Sequence, residues 1–241
     1  MNSLATLKTH ISSLSVIGFD LDDTLWPNSE VIQRAIAAQM KVLQEALPRE
    51  SVDAIEQRLA RYIRRTRELF PEQSEDVVWL RKSVLNDLCE HFSIDHKWGD
   101  KAYNAFYTMR QSYQLFPGVA QGLTDLSKHF KLVAISNGNA SLVNSGIGHL
   151  FEFHWIGGLN GRAKPNPDML LKAHQELAIS AEQFLYIGDH YLIDGAAAEK
   201  AGSHSIIVHA ADAMPEYFQN CYGFSDLVTA IDWILENKKA S

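Results

Sequence analysis

Three carboxylates, Asp20, Asp22 and Asp23, fall within four positions, directly after the apolar run Ser15–Phe19. A short run of this kind reads as a buried strand. In an open α/β sheet, ligands bind beyond the carboxyl ends of the strands, so acids placed there face a crevice. Asp20 and Asp22 are two apart in an extended segment and therefore point the same way. Two carboxylates in one pocket repel each other and desolvate poorly unless a cation or a proton intervenes. A hard divalent cation with oxygen ligands, such as Mg2+, meets that need. Taken alone, the cluster would equally suit a solvated turn capped by Asp22, Asp23 or Thr24.

Three more clusters end or follow apolar runs. Gly188-Asp189 closes Phe184–Gly188 and is followed by Asp194. Ser136 and Asn137 close Lys131–Ser136, and Asn139 or Ser141 could cap a following helix. Ser136 Oγ and nearby backbone N–H groups would then suit a phosphate oxygen at that helix N-terminus. Lys164 precedes Pro165 and is held extended by it. It could balance several acids and a phosphate, or lie solvated. Each of these clusters also has an ordinary capping or surface reading, and together they carry more than any one alone.

The elements that must position these residues follow from periodicity. Strands are expected at 15–19, 131–136, 184–188 and 204–208, with a weaker one at 153–157, and helices at 119–130, 167–177 and 193–201. Strand alternating with helix means βαβ units, hence an α/β fold with a doubly wound, mainly parallel, Rossmann-like sheet. The stretch from 28 to 113 breaks the alternation with four helical stripes. Ile32, Ile36, Met40, Leu43 and Leu47 form the first, Ile55, Leu59, Tyr62 and Leu69 the second. One apolar stripe per helix is the pattern of a small bundle. The expected organisation is a catalytic core from 1–26 and 115–241 with an inserted helical cap, 27–114.

The totals exclude several classes. The chain has 241 residues, 46 % of them apolar, and a formal net charge of −7. That charge disfavours nucleic acid and anionic membrane as partners. No apolar run approaches the ~20 residues of a membrane helix. Cys89 and Cys221 form no metal-spaced pair or disulfide framework. The expectation is a cytoplasmic protein, a monomer or weak homodimer, with a small-molecule partner.

Asp20-x-Asp22-x-Thr24, the strand-ending Ser136, Lys164-Pro165 and Gly188-Asp189-x4-Asp194, in that order, resemble the haloacid dehalogenase superfamily of aspartyl-nucleophile hydrolases. The resemblance covers essentially the whole chain, and the insertion is similar to the family's C1-type helical cap. It implies a Mg2+-dependent phosphomonoesterase acting on a small phosphorylated metabolite. Asp20 would be the nucleophile, Asp22 the general acid and base, and Lys164 a neutralising cation. Asp20, the Asp22 carbonyl and Asp189 would hold the metal, and Asp194 would touch it through water or from the second layer while orienting Lys164. Ser136 and Asn137 would contact the phosphate, and Thr24 would support the loop. Trp26 would line the substrate pocket or pack the hinge. Asp22 argues against dehalogenation, because a halide leaves without a proton. A phosphomutase of the same superfamily is the alternative enzyme, and a non-catalytic binding protein the alternative class. His190 and Ile193 depart from the usual fourth motif. The Leu132–Ala140 and Gly161–Pro165 segments look most like phosphatases of FMN and riboflavin precursors, which makes FMN or a nucleotide-like phosphate the candidate substrate. The arginines 58, 61, 64, 65 and 67 of one helix read as a solvated face.

Overall fold

The computed structural model describes residues 4–143, 145–209 and 218–239. The chain divides into two compact units, Met1–Pro27 with Gln114–Ser241, and Asn28–Tyr113.

The first unit is built on a parallel sheet. In chain order its described elements are α1 (Leu4–His10), β1 (Val16–Phe19), then, after the second unit, α6 (Val119–Leu126), β2 (Lys131–Ser136), β3 (Phe151–Ile156), α7 (Asp168–Glu176), β4 (Phe184–Gly188), α8 (Ala196–Ala201), β5 (His204–Val208), β6 (Cys221–Phe224) and α9 (Leu227–Lys239). The described strands run in the order β3-β2-β1-β4-β5-β6, all neighbours parallel. Strands β1, β4 and β5 are buried along their whole length, as mostly apolar strands in a sheet covered on both faces are. Phe19 of β1 aligns with Ala134 of β2 and Ile187 of β4. The ends of three central strands therefore coincide at one edge, which brings Asp20, Ser136 and Asp189 together.

Several elements differ from expectation. Strand β6 was not legible: Cys221-Tyr-Gly-Phe224 lacks a β-branched run, and it forms because β5 offers an edge to pair. Strand β3 starts at Phe151, and its register shifts between Leu132 and Ala134. Among the described residues from 137 to 147 there is no helix. Ser141 Oγ takes the Val143 N–H at 3.2 Å and Ser145 Oγ the Ile147 N–H at 3.1 Å. Such local serine turns compete with helical pairing. The helix expected from 193 opens as a wide turn over Tyr191–Gly195 before α8.

The second unit holds α2 (Ser29–Ala46), α3 (Val52–Leu69), α4 (Val77–Phe92) and α5 (Lys97–Arg110). Ser51 caps α3 through the Ala54 N–H, and Asp76 caps α4 through those of Val78 and Trp79. Met40, Leu43, Leu47, Ile55, Leu59, Tyr62, Leu80, Val84 and Leu88 form its apolar centre. Ile36 and Leu69, expected on the buried stripes, are exposed, and Val31 and Ala35 are buried instead. No helix among the described residues is long and apolar enough to cross a membrane.

Candidate active site

Asp20 continues the β1 ladder by donating its N–H to Ile187 O at 2.8 Å. The chain then reverses sharply. Asp23 adopts φ 58°, a left-handed conformation that aspartate tolerates better than most residues. Its N–H reaches Trp26 O at 2.8 Å. The turn sends Leu21, Leu25 and Trp26 into the core, all fully buried, and leaves the three acids along the cavity. Asp20, Asp22, Asp23, Ser136, Asn137, Gly138, Lys164, Asp189, His190, Ile193 and Asp194 line one cavity of about 160 Å³. A larger groove of about 400 Å³ lies within the helical unit among Ile36, Met40, Leu80 and Arg81, but it gathers no acid cluster.

Lys164 is the hub. Its Nζ donates to Asp20 Oδ1 at 2.8 Å, Asp194 Oδ1 at 2.7 Å and the Tyr186 hydroxyl at 2.7 Å. Burial alone would lower its pKa, but the charges of Asp194 and Asp20 outweigh that and hold it well above the ordinary lysine value. Asn137 fixes the Lys164 backbone from both sides: Nδ2 donates to Lys164 O at 2.8 Å and Oδ1 accepts the Lys164 N–H at 2.9 Å. The Lys164–Pro165 peptide bond is cis. Asp194 is fully engaged, because its Oδ2 also takes the N–H groups of Asp189 and His190 at 3.2 and 3.0 Å. Gly188 leaves room for this: a Cβ there would collide with the Asp194 carboxylate.

The acids exceed the cations. Burial raises Asp20 to about 6, against the pull of Lys164 and with help from Asp194 and Asp22. Burial, then repulsion from Asp194, Asp20 and Asp23, raises Asp189 to about 7. Ligand oxygens of Asp20, Asp189 and Asp194 lie within 4.8 Å of one another. An all-oxygen set with surplus negative charge fits a hard divalent cation. Asp20 and Asp189 are its natural holders, since Asp194 already serves Lys164 and two backbone donors.

Three residues named from sequence lie where they support the site from beneath or beside the cavity. Trp26 is fully buried and does not line the cavity; its Nε1 donates to Asp22 Oδ1 at 3.0 Å. Thr24 is likewise buried away from the cavity, its Oγ1 making no hydrogen bond to the protein. Asn137 lines the cavity, but its amide is occupied by Lys164. Ser136 is buried at the cavity wall, and its Oγ takes the Gly138 N–H at 3.1 Å. Sequence reasoning missed Tyr186. Its only signal was a polar tip inside an otherwise apolar strand, where a buried hydroxyl must find a partner.

A parallel sheet whose strand ends gather an aspartate, a lysine and further acids defines a class of α/β hydrolase. The sequence pattern of the haloacid dehalogenase-like hydrolase family matches residues 14–202, and the chain belongs to that family. Among its relatives is the 5-amino-6-(5-phospho-D-ribitylamino)uracil phosphatase YigB of Escherichia coli, 31 % identical over 80 % of this chain and 82 % of that one. A glyceraldehyde 3-phosphate phosphatase of Methanopyrus kandleri is 27 % identical over 78 % of this chain and 81 % of that one. The crystal structure of a 2-haloacid dehalogenase from Pseudomonas syringae pv. Tomato superposes with a TM-score of 0.84 at 28 % identity, covering 92 % of this chain and 98 % of that one.

Proposed function

We propose that this chain is a Mg2+-dependent phosphomonoesterase that works through an aspartyl-phosphate on Asp20. The observation that carries the proposal is the ammonium of Lys164 fixed beside Asp20, with Asp189 and Asp22 on the same small cavity. A carboxylate so placed is a nucleophile of the covalent type. An Asp20 oxygen attacks phosphorus, the bond from phosphorus to the leaving oxygen breaks, and Asp22 gives that oxygen its proton. Water then attacks phosphorus as Asp22 takes a proton back. The phosphorus–Asp20 bond breaks, inorganic phosphate leaves, and the carboxylate is restored. Mg2+, held by Asp20, Asp189 and the Asp22 carbonyl, would supply positive charge to the phosphoryl oxygens. The Lys164 ammonium, held beside Asp20, would offset the same charge. Trp26 holds Asp22 by its 3.0 Å bond, and Asn137 holds the Lys164 backbone. On this reading the helical unit is the inserted cap of the family.

Two sequence relatives bear phosphatase names, and several structural neighbours bear dehalogenase names. Asp22 favours the phosphatase reading, because an alkoxide needs a proton to leave and a halide does not. The Escherichia coli relative's riboflavin-precursor substrate supports a flavin-type or nucleotide-like phosphate here. The test is phosphate release from p-nitrophenyl phosphate and FMN, with Mg2+ and with EDTA, for wild type and Asp20→Asn. Metal-dependent release that disappears in Asp20→Asn is expected, with FMN turned over at higher kcat/KM than glycerol phosphate. Chloride release from 2-chloropropionate without phosphate release would sink the proposal. Equal rates on FMN and glycerol phosphate would remove only the substrate assignment.

A further inference from the structure

We infer that Tyr186 is a positioning residue: it ties β4 to β2 across β1 and so fixes both Lys164 and the strand end that carries Ser136. The kinetic consequence rests on the phosphatase reading above, while the geometric one does not. Strands β4 and β2 are not neighbours, because β1 lies between them. The Tyr186 hydroxyl nevertheless donates to Ile135 O at 2.5 Å, the residue just before Ser136. Gly18 of β1 makes the crossing possible. A Cβ there would come within 2.8 Å of the Tyr186 ring and 2.6 Å of the Phe184 ring.

Donor counting then fixes what the hydroxyl does. A tyrosine hydroxyl has one proton, and a lysine ammonium has three and no acceptor. The tyrosine proton goes to Ile135 O, so toward Lys164 the oxygen can only accept, at 2.7 Å. The three Lys164 protons go to Asp20, Asp194 and Tyr186. Two of these acceptors are charged and offset the ammonium. The third is neutral and adds direction without adding negative charge to a cavity already rich in it. When Asp20 is bonded to phosphorus, Asp194 and Tyr186 still hold Nζ in place beside it. Lys164 and Ser136 would then approach the phosphoryl group at a separation set by one aromatic ring.

The test uses Tyr186→Phe in the full chain with Mg2+. Loss of a hydrogen bond to a charged group typically costs about 10–100-fold. That loss is expected in kcat/KM on p-nitrophenyl phosphate, carried mainly by kcat. In a Lys164→Gln background the same substitution should add less than about twofold, because residues that act through one another are not additive. A merely structural role would lower kcat/KM by the same factor in both backgrounds. Independently, protein carrying 15N-lysine should show a slowly exchanging Lys164 ammonium signal, assigned by its absence in Lys164→Gln. Tyr186→Phe should shift or broaden it. Unchanged kcat/KM in folded Tyr186→Phe, or an identical Lys164 signal, overturns the inference. If Tyr186→Phe does not fold, wild-type chain labelled with 3-fluorotyrosine decides: a Lys164 signal that shifts upholds the contact with the Tyr186 hydroxyl, and an unchanged one overturns it. If wild type releases no phosphate, the functional reading falls and the ammonium signal still decides the role of Tyr186.

Discussion

Mg2+ should stabilise this protein strongly near pH 7.5 and weakly near pH 5. The reason is proton competition at two carboxyls raised from 3.8, Asp20 to about 6 and Asp189 to about 7. Both folded values lie above the unfolded one. Without a cation the folded state therefore keeps protons that the unfolded chain has released, and this contribution to stability falls as pH rises from about 4 to about 7. A bound cation reverses that by favouring the ionised carboxylates. At pH 5, protonated Asp20 lowers cation affinity by about tenfold, since each pH unit below a ligand's pKa is a factor of ten. Asp189 adds between about tenfold and a hundredfold, the lower figure allowing for solvent screening of a half-buried group. Because repulsion from Asp20 is part of what raises Asp189, the two factors do not multiply in full, and together they give on the order of 10², or about 3 kcal/mol. At ~2–4 °C per kcal/mol for a chain of this size, the rise in Tm on adding saturating Mg2+ should be on the order of 10 °C larger at pH 7.5 than at pH 5. Burial lowers His154, His174 and His204, which acts in the opposite sense over part of this range but cancels between samples with and without Mg2+ at one pH. The assay is a thermal melt across pH with Mg2+ or EDTA, for wild type and Asp189→Asn. In EDTA at pH 7.5 the variant should melt above wild type, because a repelling carboxylate is gone. An equal Mg2+ shift at both pH values, or a variant that melts lower in EDTA, would refute the reasoning.

Other outcomes follow from single contacts. Trp26→Phe removes the donor to Asp22 and should reduce kcat by about tenfold with KM little changed, as expected when a hydrogen bond to a charged group worth ~1.5–3 kcal/mol is lost; steady-state kinetics on p-nitrophenyl phosphate read it. Asn137→Ala removes both bonds to the Lys164 backbone and should lower kcat/KM by about tenfold, as expected from two neutral hydrogen bonds worth ~0.5–1.5 kcal/mol each. An unchanged value would show that Lys164 is positioned without it. Gly18→Ala forces a methyl against the Phe184 and Tyr186 rings. It should destabilise by ~1–3 kcal/mol, visible as a lower midpoint in urea.

Much of the candidate site was legible because it is written locally. β1, β2 and β4 are mostly apolar runs, and the residue that ends or follows each is polar: Asp20, Ser136 and Asp189. A covered parallel strand demands that pattern, so both the strands and the exits from them could be read from the sequence. Lys164 was legible only as a motif, since nothing around it in sequence says which acids it will meet.

The chain by itself determined the cores of β1, β2, β4 and β5, the polar residues at their ends and the helical character of 28–113, because side-chain period and burial act over a few residues. Tertiary structure decided the partnerships. Lys164 meets Asp20 from 144 positions away and Tyr186 from 22, and Tyr186 meets Ile135 across an intervening strand. Trp26 became a support for Asp22, and Asn137 a clamp on Lys164. These assignments depend on strand order and on the space left by Gly18. Periodicity carries no information about which strand lies beside which, whereas the packed sheet leaves each buried hydroxyl, amide and ammonium few partners within reach.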